Sequence, residues 1–383
     1  MIPELRRVFN QRFTSEKYTR FLAHLAGRSG TPVKFRVSET PCFFPADLIA
    51  TMQRAGAELI HQLVENPAYL AQARRQIPEG FLTPNEAAKP LFLQVDFGLI
   101  RDAGGQIAPR LVEIQAFPSL YAYQPVLEES YAEAYGLDTR LLTPRYDGLL
   151  RSAILGNHAP ENVILLEIDP LHQKTLPDFL LTEELTGIRT ADIRDLRRRG
   201  RKLYRGDTPV HRIYNRAIAD ELMRRGVHAA FRFSDDLDVE WAGHPNWFFL
   251  ISKFSIPFLR HETVPESYFL DQIPAIPDDL DDWVLKPLYS FAGLGVKVGP
   301  VREDIASIPP GERNQYLLQR RMRFEPVIET PFGPTQAELR VMYIWQDELT
   351  PVNLIVRMGR GRMMGVDHNR DLEWVGASAG LIF

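Results

Sequence analysis

The sequence contains a single cysteine, Cys42, among its 383 residues. One cysteine excludes an intrachain disulfide and a zinc site made of cysteine thiolates, and it fits a reducing compartment. The chain also lacks any uninterrupted apolar run of about 18 residues, so we expect no membrane-spanning helix. The first residues, MIPELRRVFNQRF, lack the apolar stretch of a signal peptide. We therefore expect a cytoplasmic protein without a membrane partner.

Positive charge is not in excess either, since 45 lysines and arginines are set against 49 acidic residues, for a formal net charge of -4. A chain without a basic excess gives no reason to expect nucleic acid as a partner. The nine histidines show no spacing typical of a metal site, and no G-x-S-x-G motif is present. The hydrophobic fraction of 45% and the charged fraction of 25% are ordinary for a globular protein of two or three domains.

The apolar pattern divides the chain into four regions. Residues 1–90 show helical spacing, as in PADLIATMQRAGAELIHQLVEN. Residues 91–150 begin with two apolar-rich runs around Asp-Ala-Gly-Gly, which predicts a β-hairpin. Residues 151–245 alternate strand and helix, which predicts a parallel sheet with a crossover. Residues 246–383 read as a second, α+β unit, so the expected fold class is α/β and α+β.

Two acids and a glutamine share one face of the predicted hairpin, LFLQVDFGLIRDAGGQIAPRLVEIQAF. Side chains alternate along a strand, so Glu113 and Gln115 point the same way. A loop of two or four residues within Asp102–Gly105 puts Asp96 on that face too, nearly opposite Glu113. Carboxylate and amide oxygens are the ligands that Mg2+ prefers. The alternatives are a magnesium site and a plain polar face turned to solvent.

Two lysines are candidates for phosphate contacts. Lys286 follows the apolar run WVL, just before a loop that contains Gly293 and Gly295. Small residues let the backbone close around phosphates, and a neighbouring ammonium adds charge. Lys253 is expected in the middle of a helix rich in aromatic residues. The alternatives are a lysine at the end of a strand beside a flexible hairpin, and a lysine that lies along a helix surface with its ammonium in water.

The segment YLLQRRMRFEP predicts a strand that ends near Gln319, with Glu325 a few residues later. Exposed amide and carbonyl groups at a strand edge can read adenine, and an acid can take the ribose hydroxyls. The alternative is an ordinary strand end with solvated arginines.

Arginines stand at two further places. Arg340 lies two residues after Glu338 on one strand face, and Arg357 is expected on the neighbouring strand. Two guanidiniums with an acid suit a phosphoryl or carboxylate substrate, and the alternative is a cross-strand ion pair. In VHRIYNR, Arg212 lies on a strand and Arg216 opens the next helix. A helix N-terminus is an anion site, so these arginines are candidates for a ligand, although a structural role is open as well.

The order of these motifs resembles the ATP-grasp superfamily. A lysine comes first, then VLKP with its glycine loop, then LLQ with a nearby acid, and finally ELR and a second arginine. The metal-binding residues of an ordinary member would follow the arginines, but here similar residues come earlier, as DF and as EIQ before Pro118-Ser119. This arrangement resembles the circularly permuted branch, which includes glutathionylspermidine synthetase-like and eukaryotic-type glutathione synthetase-like ligases. The resemblance runs from Leu91 to the end of the sequence.

The resemblance implies an ATP-grasp fold with a helical N-terminal region (1–90), a permuted metal-binding hairpin with core helices (91–150), an α/β substrate-binding subdomain (151–245) and nucleotide-binding subdomains (246–383). It implies ATP and Mg2+ as cofactors. The residues it assigns are Lys253 and Lys286 for phosphates, Gly293 and Gly295 for the closing loop, Gln319, Arg320, Met322 and Glu325 for the nucleoside, Asp96, Glu113 and Gln115 for magnesium, Arg340 and Arg357 for the reacting phosphoryl group, and Arg212 for a substrate carboxylate.

The activity that the resemblance implies is ATP-dependent ligation of a carboxylate to an amine through an acyl phosphate. The substrates would be small molecules such as an amino acid, a peptide or a polyamine. The alternatives are a phosphotransferase on the same fold and a nucleotide-binding protein without catalysis. One departure concerns Gln115, which stands where the family has asparagine and whose extra methylene changes the reach of its amide oxygen.

Overall fold

The computed structural model describes residues 1–288, 295–361, 364, 369 and 371–383. Within these residues the chain is a mixed α/β protein with four β-sheets. The longest sheet has six strands, two sheets have four, and a small antiparallel meander has three. In the part of the chain described, no helix is long and apolar enough to cross a membrane.

In the same residues the α-helices are α1 (Pro3–Arg12), α2 (Ser15–Arg28), α3 (Ala46–Val64), α4 (Pro67–Arg74), α5 (Tyr123–Tyr135), α6 (Asp147–Leu155), α7 (Leu176–Thr186), α8 (Ala219–Arg225), α9 (Asn246–Leu250) and α10 (Arg302–Ala306).

The β-strands are β1 (Cys42–Phe44), β2 (Phe92–Arg101), β3 (Ile107–Gln115), β4 (Val163–Glu167), β5 (Arg189–Asp192), β6 (Leu196–Arg199), β7 (Lys202–Arg205), β8 (Thr208–Val210), β9 (Arg212–Asn215), β10 (Glu240–Ala242), β11 (Ser267–Phe269), β12 (Trp283–Pro287), β13 (Lys297–Val298), β14 (Tyr316–Arg320), β15 (Gln336–Trp345), β16 (Leu349–Gly359) and β17 (Gly376–Ile382).

The six-stranded main sheet joins segments that are far apart in sequence. Its order is β1-β17-β16-β15-β2-β3, so the predicted hairpin β2–β3 lies beside the C-terminal strands. β2 pairs with β15 in antiparallel fashion. Side chains on alternate positions, such as Val95, Leu339 and Val341, enter one hydrophobic core. The other face of the same strands carries Asp96 and Arg340, which lie opposite each other on β2 and β15.

The N-terminal helices share the core of the main sheet. The apolar residues that predict α3 do form one helix, and Met52, Leu59 and Leu63 are buried in the same core cluster as Val95 and Leu339. Burying side chains of this size contributes roughly 1.5–3 kcal/mol each. β1, which precedes α3, pairs with β17 in parallel. The first ninety residues are therefore built onto the sheet that carries the polar face.

The middle of the chain forms the expected parallel sheet. Its order is β10-β9-β4-β5, and each neighbouring pair is parallel. α7 crosses from β4 to β5 and is capped by Gly187, whose φ of 81° is the left-handed geometry that glycine adopts without steric cost. The predicted strands on either side of Gly206-Asp207 are β7 and β8 of the meander.

The small sheet β11-β14-β12-β13 is connected to the main sheet through Phe324 and Glu325. The amide of Glu325 donates to the carbonyl of Leu99 at 2.8 Å. The ring of Phe324 lies over Gly98 of β2, so closely that a Cβ added to Gly98 would come within 2.1 Å of a ring carbon. Glycine at position 98 therefore allows the two sheets to approach.

We predict that Gly98→Ala lowers the free energy of unfolding by about 1–3 kcal/mol, because the new methyl group displaces the Phe324 ring. Urea denaturation gives the value. The matched control is Gly148→Ala in α6, where the added Cβ has no atom within 4 Å among the described residues. That substitution should be neutral or stabilise by about 0.5–1 kcal/mol. Equal effects of the two substitutions would contradict this description of the contact.

Candidate functional site

A β-bulge at Val112 brings the two acids of the hairpin face to face. β2 and β3 are joined by five residues, and Phe97 pairs with Leu111. Continued without a break, this register would put Val112 opposite Asp96. Instead the register shifts by one residue, so that Asp96 pairs with Glu113. The predicted juxtaposition is confirmed, although the loop is longer than predicted and the bulge restores the alignment.

Asp96 is bound by two guanidiniums. Its carboxylate accepts from Nε of Arg340 at 2.5 Å and from NH2 of Arg340 at 2.6 Å. NH2 of Arg357 also donates to Asp96. Burial alone would raise the pKa of Asp96, which is 1% exposed, but the two guanidiniums outweigh burial and hold that pKa below its ordinary value. Asp96 is therefore an ionised counter-ion at neutral pH.

Glu338 extends this network along β15. It pairs with Arg357 across the β15–β16 ladder, and Oε1 lies 2.8 Å from NH2 of Arg357. Burial raises the pKa of Glu338, with Arg357 opposing the shift. The pKa of Arg357 is raised, because Glu338 and Asp96 outweigh its burial. The predicted pair of arginines with an acid on one sheet face is thus present.

The two predicted lysines approach the same face, Lys286 from the small sheet and Lys253 from a 3-10 helix. Lys253 Nζ lies 3.6 Å from Oε2 of Glu113. It begins a 3-10 helix, Lys253–Phe258, and does not lie in the middle of an α-helix as predicted, because Pro257 would break a longer one. Lys286 on β12 donates to the side chain of Gln319 and lies 3.5 Å from the carbonyl of Val112 at the bulge.

We call these seven side chains the charged cluster: Asp96, Glu113, Glu338, Arg340, Arg357, Lys253 and Lys286. Four cations and three carboxylates leave an excess of one positive charge when all are ionised. Burial lowers the pKa of Lys286 to about 8, with Glu113 opposing and Lys253 adding to the shift. Because cations at a partly dry site attract anions strongly, the cluster favours a phosphate or carboxylate ligand.

Magnesium fits the predicted ligand set poorly. Both oxygens of Asp96 are already used by guanidiniums. Gln115 donates its amide to Glu113. Within the residues that the structure describes, no three His, Cys, Asp or Glu side chains form a group that could hold a metal ion. Assigning Asp96 as a magnesium ligand is therefore not supported by its contacts, and only the oxygens of Glu113 and Gln115 remain as candidates.

The nucleoside assignments meet an obstacle in the sheet. β14 lies between β11 and β12, so its backbone is not an open edge. The amide of Arg320 donates to the carbonyl of Glu266 at 2.7 Å. The side chain of Arg320 pairs with Asp279 at 2.6 Å, and Glu325 pairs with Arg101 at 2.6 Å. A base-reading edge would have to begin after the strand, near Met322, which is partly buried.

The glycine loop is described only at its end. Gly293 lies outside the described residues. Gly295 has a φ of 74°, and a Cβ there would come within 2.9 Å of Pro287 Cγ. Position 295 therefore requires glycine, both for its backbone angle and for the close approach to the end of β12.

Arg212 lies apart from the charged cluster. Its Nε and NH2 donate to the carbonyls of Ile154 and Ala153 at the end of α6, at 2.9 and 3.1 Å, and NH1 donates to Glu240 at 2.6 Å. These contacts join α6 to β9 and β10. The structure thus gives Arg212 a role in packing, and the predicted role toward a substrate carboxylate has no geometric support.

Arg216, the residue directly after β9, lies in a different setting. The carboxyl ends of β4, β9 and β5 meet at a point where the strand order reverses, which is where open α/β sheets bind ligands. Arg216 is 3% exposed and pairs with Asp178 at 2.7 Å. Among the described residues, Nε of Arg216 and Oδ1 of Asn215 have no hydrogen-bond partner. Burial raises the pKa of the nearby Glu167 to about 8, and Arg216 opposes this shift.

Asp178 connects this crevice to the charged cluster. It accepts from the backbone amides of Leu120 and Ala122 at 3.1 and 3.0 Å, as an N-capping acid does. Leu120 has a φ of 64°, a strained value for leucine that these contacts maintain. Gln94, on the same face as Asp96, donates to the carbonyl of Ser119 at 2.8 Å. Alternation along β2 could have identified Gln94, but no sequence pattern indicated Asp178.

No protein-family model matches the chain, and no curated protein matches its sequence. Its fold is similar to a solved structure, a glutathione synthetase-like effector (GSS30) from Globodera pallida in its apo form. The similarity covers 96% of each chain with a TM-score of 0.66, at 11% sequence identity. A likeness at this identity concerns the fold, which is glutathione synthetase-like in outline.

The shifted pKa of Lys286 predicts how anion binding depends on pH. Lys286 is protonated below its pKa of about 8 and loses its charge above it. We expect the affinity for tripolyphosphate to fall several-fold between about pH 7 and about pH 9, since a neutral amine no longer attracts phosphate. Calorimetric titration across this range measures the fall. Lys286→Met should bind weakly throughout without this step, whereas a constant affinity in the unmodified protein would contradict the assignment.

Proposed function

We propose that this protein is an ATP-dependent carboxylate–amine ligase with a circularly permuted ATP-grasp fold. One observation carries the proposal: the charged cluster, in which Lys286 of the small sheet and Lys253 of the 3-10 helix meet arginines and acids of the main sheet. Similarity to a glutathione synthetase-like fold agrees with this reading but concerns the fold alone. The hairpin β2–β3, which precedes the lysines in sequence, would supply the part of the site that an unpermuted chain carries at its end.

The chemistry would be activation followed by amide formation. An oxygen of the substrate carboxylate attacks the γ-phosphorus of ATP, which forms an acyl phosphate and releases ADP. An amine then attacks the carbonyl carbon and expels phosphate. Lys253 and Lys286 would hold the phosphates, and Arg357 would stabilise the negative charge on the transferred group. Magnesium neutralises phosphate charge when it is bound, and oxygens of Glu113 and Gln115 would be its protein ligands.

The substrate carboxylate would enter from the crevice at Arg216. This arginine is buried and has an unused Nε donor among the described residues, and it adjoins the turn that Gln94 and Asp178 hold next to the cluster. An unpaired donor at a buried site is costly unless a ligand satisfies it. For this reason Arg216 replaces Arg212 in the proposal as the residue that orients the acid.

A second candidate is a nucleotide-binding protein without turnover. It is favoured by the contacts of Asp96, because the described residues contain no preformed metal site. A phosphotransferase would share the nucleotide contacts, but it would transfer phosphate to a stable product and form no amide.

We predict that ATP, magnesium and a panel of amino acids, peptides and polyamines will reveal phosphate release that depends on an amine. Mass spectrometry should find a new amide in the same mixture. Lys286→Met should reduce the rate by about 100-fold or more, since a cation that holds the phosphates at the reacting centre is lost. The control Lys202→Met changes an exposed lysine of β7 and should have no effect. Nucleotide binding without any amide or phosphorylated product would favour the second candidate.

The two arginine assignments separate in kinetics. With the acid identified in that panel, Arg216→Lys should raise its KM by about tenfold, because lysine lacks the guanidinium fork. The KM for ATP should stay the same. Arg212→Lys, which alters contacts with Glu240 and the end of α6, should leave the KM for the acid unchanged. If Arg212→Lys raised this KM and Arg216→Lys did not, Arg212 would be the residue that orients the acid, as predicted from the sequence.

A further inference from the structure

We infer that Asp96 is a positioning residue for Arg357 and not a ligand of magnesium. The inference rests on the proposed function only where it names phosphate as the ligand of Arg357. The role of Asp96 itself follows from the contacts of its carboxylate. Oδ1 accepts from Nε of Arg340, and Oδ2 accepts from NH2 of Arg340 and from NH2 of Arg357.

A magnesium ion on Asp96 would have to share these oxygens with two cations. Mg2+ binds oxygen at about 2.0–2.1 Å in octahedral geometry and keeps several waters. Two nitrogens of Arg340 already lie 2.5 and 2.6 Å from the two oxygens. An ion at the same lone pairs would meet like charge at close range, which is strongly unfavourable in a buried site. With 1% of its surface exposed, Asp96 also has little room for the waters of the ion.

The two arginines of the cluster have different tasks. Arg340 is held on three sides, by Asp96 through Nε and NH2 and by Gln94, which accepts from NH1 at 3.0 Å. Its side chain is 12% exposed. Among the described residues, Arg357 contacts two carboxylates, those of Asp96 and Glu338, and it contacts both through NH2. Its side chain is 23% exposed, so Nε and NH1 are the donors offered to a ligand.

Arg340, Asp96 and Arg357 thus form a chain of support across three strands. Arg340 fixes the plane of the Asp96 carboxylate, and Asp96 together with Glu338 fixes NH2 of Arg357. A guanidinium recognises phosphate in a defined plane, and displacement of a reacting group by about 1 Å can cost about 100-fold in rate. Arg357 is therefore the catalytic residue, whereas Asp96 and Arg340 act through it.

The test compares magnesium dependence with turnover. Amine-dependent phosphate release is measured at saturating ATP over a magnesium titration. Asp96→Asn should lower kcat by about 10–100-fold while the magnesium concentration at half-saturation stays within about twofold. Glu113→Gln should raise that concentration instead. The matched control is Asp235→Asn, which removes a carboxylate that lies 2.6 Å from NH1 of Arg198 and is not part of the charged cluster. This substitution should change neither kcat nor the magnesium concentration at half-saturation.

A double-mutant cycle tests whether Asp96 works through Arg357. Arg357→Lys keeps the charge but loses the fork, and adding Asp96→Asn to it should lower kcat little further. The inference is overturned if Asp96→Asn raises the magnesium requirement and excess magnesium restores its rate, or if the two effects multiply. If Asp96→Asn fails to fold in a thermal melt, Arg340→Lys replaces it, with the same expected loss of kcat and the same constant magnesium requirement.

Failure of the ligase function can be told apart from failure of this inference. If the wild-type protein shows no turnover, the proposed function falls, and binding of tripolyphosphate in EDTA becomes the readout. Arg357→Lys should then weaken binding by about tenfold, and Asp96→Asn should change affinity in the wild-type background but not in Arg357→Lys. An equal change in both backgrounds overturns the inference, as does wild-type protein that binds no tripolyphosphate.

Discussion

A buried carboxylate that must be paired organises this protein. Asp96 is nearly inaccessible to water, and an isolated charge in that position would be severely destabilising. Its partners come from β15 and β16, more than 240 residues later. Removing one partner of such a pair typically costs about 3–5 kcal/mol. The same contacts that satisfy Asp96 align the strands of the main sheet and fix the arginines on its polar face.

The alignment of the main sheet brings the members of the charged cluster together. The bulge at Val112 turns Glu113 toward Asp96 and offers a carbonyl to Lys286. Gly98 lets Phe324 lie against β2, which holds the small sheet with Lys286 close to the main sheet. The turn after β3 donates the backbone amide of Leu120 to Asp178. This hydrogen bond joins the cluster to the crevice of the parallel sheet. The charged cluster and the crevice at Arg216 are thus connected through the hydrogen bonds of Gln94 and Asp178 to this turn.

Local patterns predicted much of this arrangement. Alternation along β2 and β3 identified the face shared by Asp96, Glu113 and Gln115. The two-residue spacing of Glu338 and Arg340 likewise identified the strand face that these two side chains share. The helix–strand alternation of residues 151–245 predicted the parallel sheet. These features depend on the period of a strand or helix, which a sequence displays directly.

The errors arose where tertiary contacts decide. A five-residue loop would misalign the hairpin acids without the bulge, and a bulge has no clear sequence signal. β14 looked like an edge strand because nothing local announces that β11 will pair with it. Arg212 and Arg216 are four residues apart in sequence but differ in their contacts. Arg212 donates to carbonyls at the end of α6, whereas Nε of Arg216 has no partner among the described residues. The assignment of Asp96 to magnesium took no account of its two guanidinium partners, which no local pattern indicates.

The most direct test of the account is a crystal structure with a non-hydrolysable ATP analogue and magnesium. The account predicts that the terminal phosphate lies within hydrogen-bond distance of Lys286 and of Nε or NH1 of Arg357, with Asp96 still bound to both arginines. A nucleotide bound away from the charged cluster would contradict the proposed function, and magnesium on Asp96 would contradict the role given to that carboxylate.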